Sequence, residues 1–412
     1  MRLRTIVAAT IAIGVCTASS DPLRAQAPAG VTAFQGARLI VGDGQAAIEN
    51  AVLVVDGGRI VQAGPAAAVS VPTTARRVDV AGKTIMPAII DTHAHPGATR
   101  QALTRDLMQR AYFGVGAILS MGNDGFATLA MRGEVIPDAA RFRSAGRGIT
   151  RPEEGRTTVP YWINSEPEGR AAVRELSERK VDIVKLWVDD RDGKYEKVTP
   201  ALYGAIIEEA HKLGLRVTAH IFTLEDGKGL LRAGVDALAH GVRDRDIDEE
   251  FLALAKQRPN LVVNPNLTGR GVKTDLAWLK GSLPDAEWQK IEAANTDNPR
   301  SQTAHAIQAR NLAKMNAAGI RLVLGNDGNT PWGPHVEMED MVLAGMTPMQ
   351  VIVASTKSAA EFLRITDSGT LEAGKSADFL VLDGNPLEDI KHTRRISAVY
   401  LRGAAVDRAK LP

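Results

Sequence analysis

The sequence predicts an α/β protein, a (β/α)8 TIM barrel with a small β-sandwich domain formed by both chain ends. Three observations predict it. Short Val- and Ile-rich runs broken by Gly and Asp fill residues 31–87 and return in residues 363–412. The stretch 88–362 alternates short apolar runs with longer amphipathic ones. Imidazole and charged side chains gather where the short runs end.

At 412 residues and 44% hydrophobic content, the chain can bury one large core and a smaller one. Lys and Arg (50) nearly balance Asp and Glu (48), and the charges are scattered rather than gathered into basic runs with interleaved aromatics. Nucleic acid is therefore not expected as a partner. A small-molecule substrate is, and a homo-oligomer is compatible with the composition.

Residues 1–27 read as a signal peptide. "MRLRTIVAATIAIGVCTASS" sets Arg2 and Arg4 before an apolar run from Ile6 to Val15 and then small residues, with cleavage expected near Ala18 or the "AQA" at residues 25–27. The run is too short for a permanent anchor, so no stable membrane anchor is expected after processing. The only cysteine, Cys16, lies inside it, and "IGVC" lacks the small residue expected before a lipidated cysteine. The mature chain would then be periplasmic or secreted and free of cysteine, resting on its core and on metal.

The runs "ARLIVGDG", "AVLVVDGGRIVQAG" and "ARRVDVAGKTI" read as hairpins, and "GTLEAGKSADFLVLDG" and "ISAVYLRGAAVD" answer them at the far end. Neither end has enough strands to stand alone, so residues 31–87 and 363–412 are expected to share one composite β domain. The catalytic barrel, residues 88–362, is inserted between them. Its strands are expected to end near Asp91 to His95, Ser120, Ala145, Lys185 to Val188, His220, His240, Asn264 and Asp327. Helices are expected in "PALYGAIIEEAHKLG", "EDGKGLLRAG" and "SQTAHAIQARNLAKMNAAG".

In "TIMPAIIDTHAHPGATR", residues 84–100, His93 and His95 stand two apart at the end of an apolar run, so a strand presents both imidazoles on one face. Such a pair suits a transition metal, most simply zinc, while two ordinary histidines capping a strand in a Pro- and Gly-rich turn is the plainer alternative. "LGLRVTAHIF" ends at His220 and "GVDALAHGVRD" carries His240, so four of the eight histidines lie at strand ends. "GIRLVLGNDGNTPWG" puts Asp327 at the end of the eighth strand, where a carboxylate can ligate metal and move protons. Lys185 in "KVDIVKLWVDD" is an odd strand residue. It either snorkels from an edge or is a desolvated amine able to capture carbon dioxide as an anionic, bridging carbamate.

The order His93-x-His95, Lys185, His220, His240, Asp327 resembles the binuclear amidohydrolase superfamily, and the similarity extends through "GTLEAGKSADFLVLDGNPLEDI" to nearly the whole chain. Its prolidase-like and imidazolonepropionase-like branch is the nearer resemblance. The resemblance implies one divalent ion on His93, His95 and Asp327, and a second on His220 and His240, with a carbamylated Lys185 and a hydroxide bridging them. It implies catalytic roles for Asp327 and His240, and hydrolysis of an amide bond in a dipeptide or N-acyl amino acid.

Other readings stay open. A deaminase relative would carry glutamate three residues after His220, where this chain has Thr223, with Glu225 two residues late. A mononuclear enzyme would leave Lys185 unmodified and turn His240 to the substrate, acting as a cyclic-amide hydrolase or deaminase. Lactones and phosphotriesters are further substrate classes of the superfamily, and a non-catalytic solute-binding barrel is the alternative outside enzymes. For substrate contacts the candidates are Trp187, which shares strand parity with Lys185, Arg151 and His335. Arg151 belongs to the loop "RFRSAGRGITRPEEGRTT", where Arg141, Arg143, Arg147 and Arg156 could equally hold a carboxylate or simply be solvated. This loop departs from the Gly/His-rich one of prolidase-like relatives.

Overall fold

The computed structural model describes residues 30–155, 158–267 and 269–409, so the expected signal peptide with Cys16, and also Arg156, lie outside the described residues. Five strands come first: β1 (Thr32–Leu39), β2 (Ile48–Asp56), β3 (Arg59–Pro65), β4 (Arg76–Asp79) and β5 (Thr84–Pro87). β2 and β3 are joined through Gly57 and Gly58, both at positive φ (53° and 80°), the backbone that a tight two-residue hairpin needs. β1 pairs β2 along one edge; its other edge is shared by β4 over Thr32–Gln35 and by β5 at Arg38 and Leu39.

The middle of the chain holds parallel strands. β6 (Ile89–Ala94), β7 (Val115–Ser120) and β8 (Arg141–Ser144) form one sheet. The second contains β9 (Ile149–Thr150), β10 (Tyr161–Trp162), β11 (Val184–Trp187), β12 (Val217–His220), β13 (Ala237–Leu238), β14 (Val262–Val263) and β15 (Arg321–Leu322), in the order β10-β9-β11-β12-β13-β14-β15. Backbone hydrogen bonds join the two sheets at both edges: Asp182 N–H donates to Ser144 O (3.0 Å), and Thr92 N–H donates to Leu324 O (3.0 Å). Helices Arg100–Tyr112, Pro200–Lys212, Leu224–Ala233 and Pro299–Ala317 start at the side-chain caps Thr99, Thr199, Thr223 and Asn298. Pro200 and Pro299 open two of them, where a missing N–H costs nothing.

Strand parity sorts the core. Ile90, Ala117, Leu119, Ile183, Ala237 and Val262 meet in one small cluster, whereas Ile89, Ile118, Val184, Leu186 and Val263 join the large cluster that packs on the helices. Lys185 and Trp187 share the parity of Ile183, so both point to the face of the sheet that carries the small cluster.

The chain then returns to the first sheet with β16 (Phe379–Leu382), β17 (Ile396–Leu401) and β18 (Ala404–Ala405). β16 pairs antiparallel with β5, giving the order β18-β17-β16-β5-β1-β2-β3 with β4 beside β1. Strands from both chain ends thus share one sheet. The hydrogen bonds of this β domain draw one eight-stranded sheet that forks where β4 and β5 divide one edge of β1. Phe34, Phe379 and Tyr400 pack ring to ring on it, with centroids 4.7–5.1 Å apart. Among the described residues, no helix is long and apolar enough to cross a membrane.

Candidate active site

β6 ends in the histidine pair, and the loop after β15 brings Asp327 onto it. His93 Nε2 and His95 Nε2 each lie 3.2 Å from Asp327 Oδ1. His240 Nε2 is 3.6 Å from the other carboxylate oxygen. Lys185 Nζ is 3.5 Å from His93 Nε2, and the rings of His220 and His240 are 4.4 Å apart. Five of the six residues that the sequence nominated as metal ligands therefore meet around one point, and the sixth, His220, packs against His240.

Backbone and buried charge hold Asp327 there. It adopts a left-handed conformation (φ 49°), and its N–H donates to His93 O at 2.8 Å. Asp91 Oδ1 accepts from the N–H groups of His93 and Asn326, 3.1 Å each, while Arg110 donates to Asp91 Oδ2 (3.2 Å) and to Gly328 O (3.0 Å). Asp91 and Arg110 are wholly buried, so their charges compensate each other and fasten β6 to the Asp327 loop.

The electrostatics suit a cation. Burial, followed by the Lys185 charge, drives the His93 pKa far down; burial and Arg243 do the same to His240. Burial also pushes His220 down to about 4, partly opposed by its bond to Asp189. These imidazoles are therefore neutral. Burial alone would raise the Asp327 pKa, but the bond to His95 and the charge of Lys185 outweigh it and hold the carboxyl below the usual range, hence ionised. His93 Nδ1 donates to Ala239 O and Asn266 Oδ1, 3.1 Å each, which leaves the Nε2 lone pair facing Asp327. Donor atoms of His93, His95 and Asp327 all lie within 4.8 Å of one another. Two imidazoles and an ionised carboxylate at that spacing fit a divalent transition metal.

The rest of the nominated set is engaged otherwise. His220 Nε2 bonds Asp189 Oδ2 at 3.0 Å, and the Arg243 guanidinium rests on His240 Nδ1. Trp187 is buried beside the centre, its ring 5.4 Å from Lys185 Nζ. Arg151 turns to Glu196 and to Asn164 O (3.3 Å). His335 was expected to touch substrate and instead serves the core: Nε2–H donates to Phe113 O (2.8 Å), the Thr393 hydroxyl sits 3.0 Å from Nδ1, and the ring is 1% exposed. Thr223 caps the helix Leu224–Ala233 by accepting from Asp226 N–H.

Sequence reasoning missed Asp189, Arg243 and Asn266. Asp189 continues the inward parity of Lys185 and Trp187 and was readable on that ground. Arg243 and Asn266 follow strand ends by a few residues in loops, where no periodicity marks them.

Comparison with known proteins agrees with this geometry. Residues 84–406 match the Amidohydrolase family. An imidazolonepropionase from Deinococcus radiodurans is 26% identical over 387 residues, covering 87% of this chain and 92% of its own. Ochratoxinase from Aspergillus niger is 28% identical over 269 residues, 61% of this chain and 52% of its own. A crystal structure from Bifidobacterium longum, provisionally named a prolidase, aligns with a TM-score of 0.77 at 26% identity, covering 92% of this chain and 95% of that one. The chain belongs to the amidohydrolase family of hydrolases, and it is similar to imidazolonepropionase and to a chain named as a prolidase.

Proposed function

We propose that this chain is an exported, metal-dependent amidohydrolase that cleaves the amide bond of a dipeptide or an N-acyl amino acid. The observation that carries the proposal is the convergence of His93 Nε2 and His95 Nε2 on one oxygen of Asp327, with Lys185 Nζ 3.5 Å from the same His93 nitrogen. The two parallel sheets, hydrogen-bonded at both edges, would form one (β/α)8 barrel with the centre at the carboxyl ends of its strands.

His93, His95 and Asp327 would hold one divalent ion, zinc by donor type, and His220 and His240 a second, with Lys185 carbamylated between them. Bound there, the ions supply Lewis acidity to the scissile carbonyl and lower the pKa of water to about 7. Asp327 is the ionised base in place to take a proton from the attacking water and return it to the leaving amine. Trp187 walls the inner side of the site. Export rests on Arg2, Arg4 and the apolar run that follows them; intact mass of protein recovered from periplasm or medium should lack the first 18 to 27 residues.

The test is a screen of purified protein against N-acyl amino acids, Xaa-Pro and Xaa-Arg dipeptides, cyclic amides and lactones, with the released amine quantified. Cleavage of an acyl amino acid or dipeptide supports the proposal. Turnover of lactones alone, or ammonia release from cyclic amidines alone, reverses it. A mononuclear enzyme acting on a cyclic amide is the second reading, favoured by the bond from Asp189 to His220 Nε2, which occupies the nitrogen a second ion would need. Elemental analysis separates the two: two metals per chain, or one.

A further inference from the structure

Arg141 opens β8, Asp182 stands two residues before β11, and Arg216 stands one residue before β12. These positions mark the end of the parallel strands opposite to His95 and His220. Strand rise alone separates Arg216 from His220 by about 13 Å. Two cavities open at that far end. One, of about 460 Å³, is lined by Arg59, Arg132, Arg141, Arg143 and Arg402 with Glu134 and Asp367. The other, of about 380 Å³, shares Arg132 and Arg143 with the first and adds Arg216 and Arg364 with Asp182. The shared residues make them adjoining halves of one groove, lined by seven guanidinium groups and three carboxylates, with Asp378 behind Arg141 at 3.0 Å as a fourth.

Those carboxylates are already engaged. Glu134 is gripped by Arg100 (Nη1 at 2.8 Å), outside the groove, and Asp367 accepts from Arg141 at 2.6 Å. Asp182 accepts from Ser144 N–H at 2.8 Å and pairs with Arg132 at 3.4 Å. Arg143 Nε stands 3.8 Å from Asp182, beyond hydrogen-bond reach, and the Nε atoms of Arg143 and Arg216 are buried with no acceptor. Arg402 spends its Nη2 on two neutral carbonyls, Ile136 O and Ala139 O. Burial, and then the neighbouring Arg364, push Arg216 down to about 10, more than Asp236 and Asp182 restore. Buried donors of one sign without acceptors are costly, and planar guanidinium forks match the paired oxygens of phosphate and carboxylate groups.

We propose that this groove binds a small polyanion, a phosphate-bearing or polycarboxylate molecule whose separate anionic groups meet Arg143 and the Arg216–Arg364 pair, at a site distinct from the metal centre. Such a ligand supplies counter-charge to the guanidinium groups that line the groove. Binding only to the folded chain, it also raises stability by mass action.

Isothermal titration of the full chain with pyrophosphate and, separately, with citrate tests this, alongside Arg143→Gln, Arg364→Gln and Asp327→Ala. At least one probe should bind the wild type, with affinity weakened about tenfold or more in each arginine variant, the scale of a hydrogen bond to a charged group. Asp327→Ala should bind within about twofold of wild type, well below the loss of one such hydrogen bond. Pyrophosphate alone binding identifies a phosphate ligand, and citrate alone a carboxylate one. Arg364 is exposed, so Arg364→Gln carries the test by itself if Arg143→Gln does not fold. Unchanged affinity in the arginine variants, loss confined to Asp327→Ala, or no binding of either probe at millimolar concentration overturns the proposal.

Discussion

Gly148→Ala tests how Trp187 shapes the site. A Cβ at residue 148 would lie 2.0 Å from Trp187 Cζ3 and 2.6 Å from Cη2; at Gly122 it would lie 2.5 Å from Cη2 and 3.0 Å from Lys185 Cγ. The indole therefore occupies a slot that only two glycines leave open. Gly148 has no left-handed backbone, so alanine meets no conformational objection and its effect passes through the ring. Opening the 2.0 Å approach to an ordinary contact of 3.4 Å displaces the ring or its loop by about 1.4 Å. Overpacking of this kind costs ~1–3 kcal/mol. Because Lys185 Nζ lies 5.4 Å from the indole, the displacement reaches the centre, and misplacement on the scale of 1 Å lowers turnover by about 10²-fold. Urea unfolding and kcat/KM would be measured for Gly148→Ala, Trp187→Phe and the double variant. The smaller ring should relieve the overlap, giving a coupling of at least ~1 kcal/mol. If the double variant costs the sum of the single ones, or Gly148→Ala behaves as wild type, the slot does not position Trp187 and the reasoning fails.

Lys185→Ala should lose metal and activity together, with bicarbonate or a short carboxylic acid partly restoring both; full metal content with near-normal turnover would defeat the carbamate bridge. Asp327→Asn keeps the side-chain shape but not the proton acceptor, and should lower kcat by about 10²–10⁴-fold, read by steady-state kinetics on whichever substrate the screen finds. Thr223→Ala should cost about 1 kcal/mol in urea unfolding through its lost helix cap, with kcat/KM unchanged. Burial holds His335 at about 4 in the fold against about 6.5 in the unfolded chain, so the unfolded state takes up the proton first on acidification. The stability is present above about pH 6.5 and lost as pH falls through about 4, roughly 3 kcal/mol in all. His335→Asn should flatten that part of the stability profile between about pH 7 and 4, and parallel profiles would count against it.

The parts of the site that were legible in the sequence are those governed by period two. His93 and His95 share a face of β6, and Ile183, Lys185, Trp187 and Asp189 continue one inward series through β11, so direction could be read residue by residue. Helices Pro200–Lys212 and Leu224–Ala233 were likewise read from their amphipathic runs, and the structure starts them at the caps Thr199 and Thr223. What periodicity cannot supply is the distant partner. His335 is buried by Phe113 and Thr393, 222 and 58 residues away, and nothing in "WGPHVE" distinguishes it from a site histidine. Arg141 and Arg143 were read as members of a substrate loop, yet "RFRS" is β8 itself, with Phe142 and Ser144 buried and the arginines alternating with them. A four-residue strand that begins in arginine carries its charge at its first residues, so these two face the end away from the metal. Alternation sets the face and position along the strand sets the end: His93 and His95 close β6, whereas Arg141 opens β8, so imidazoles around an ionised carboxylate lie at one end of the sheet and an excess of guanidinium groups at the other.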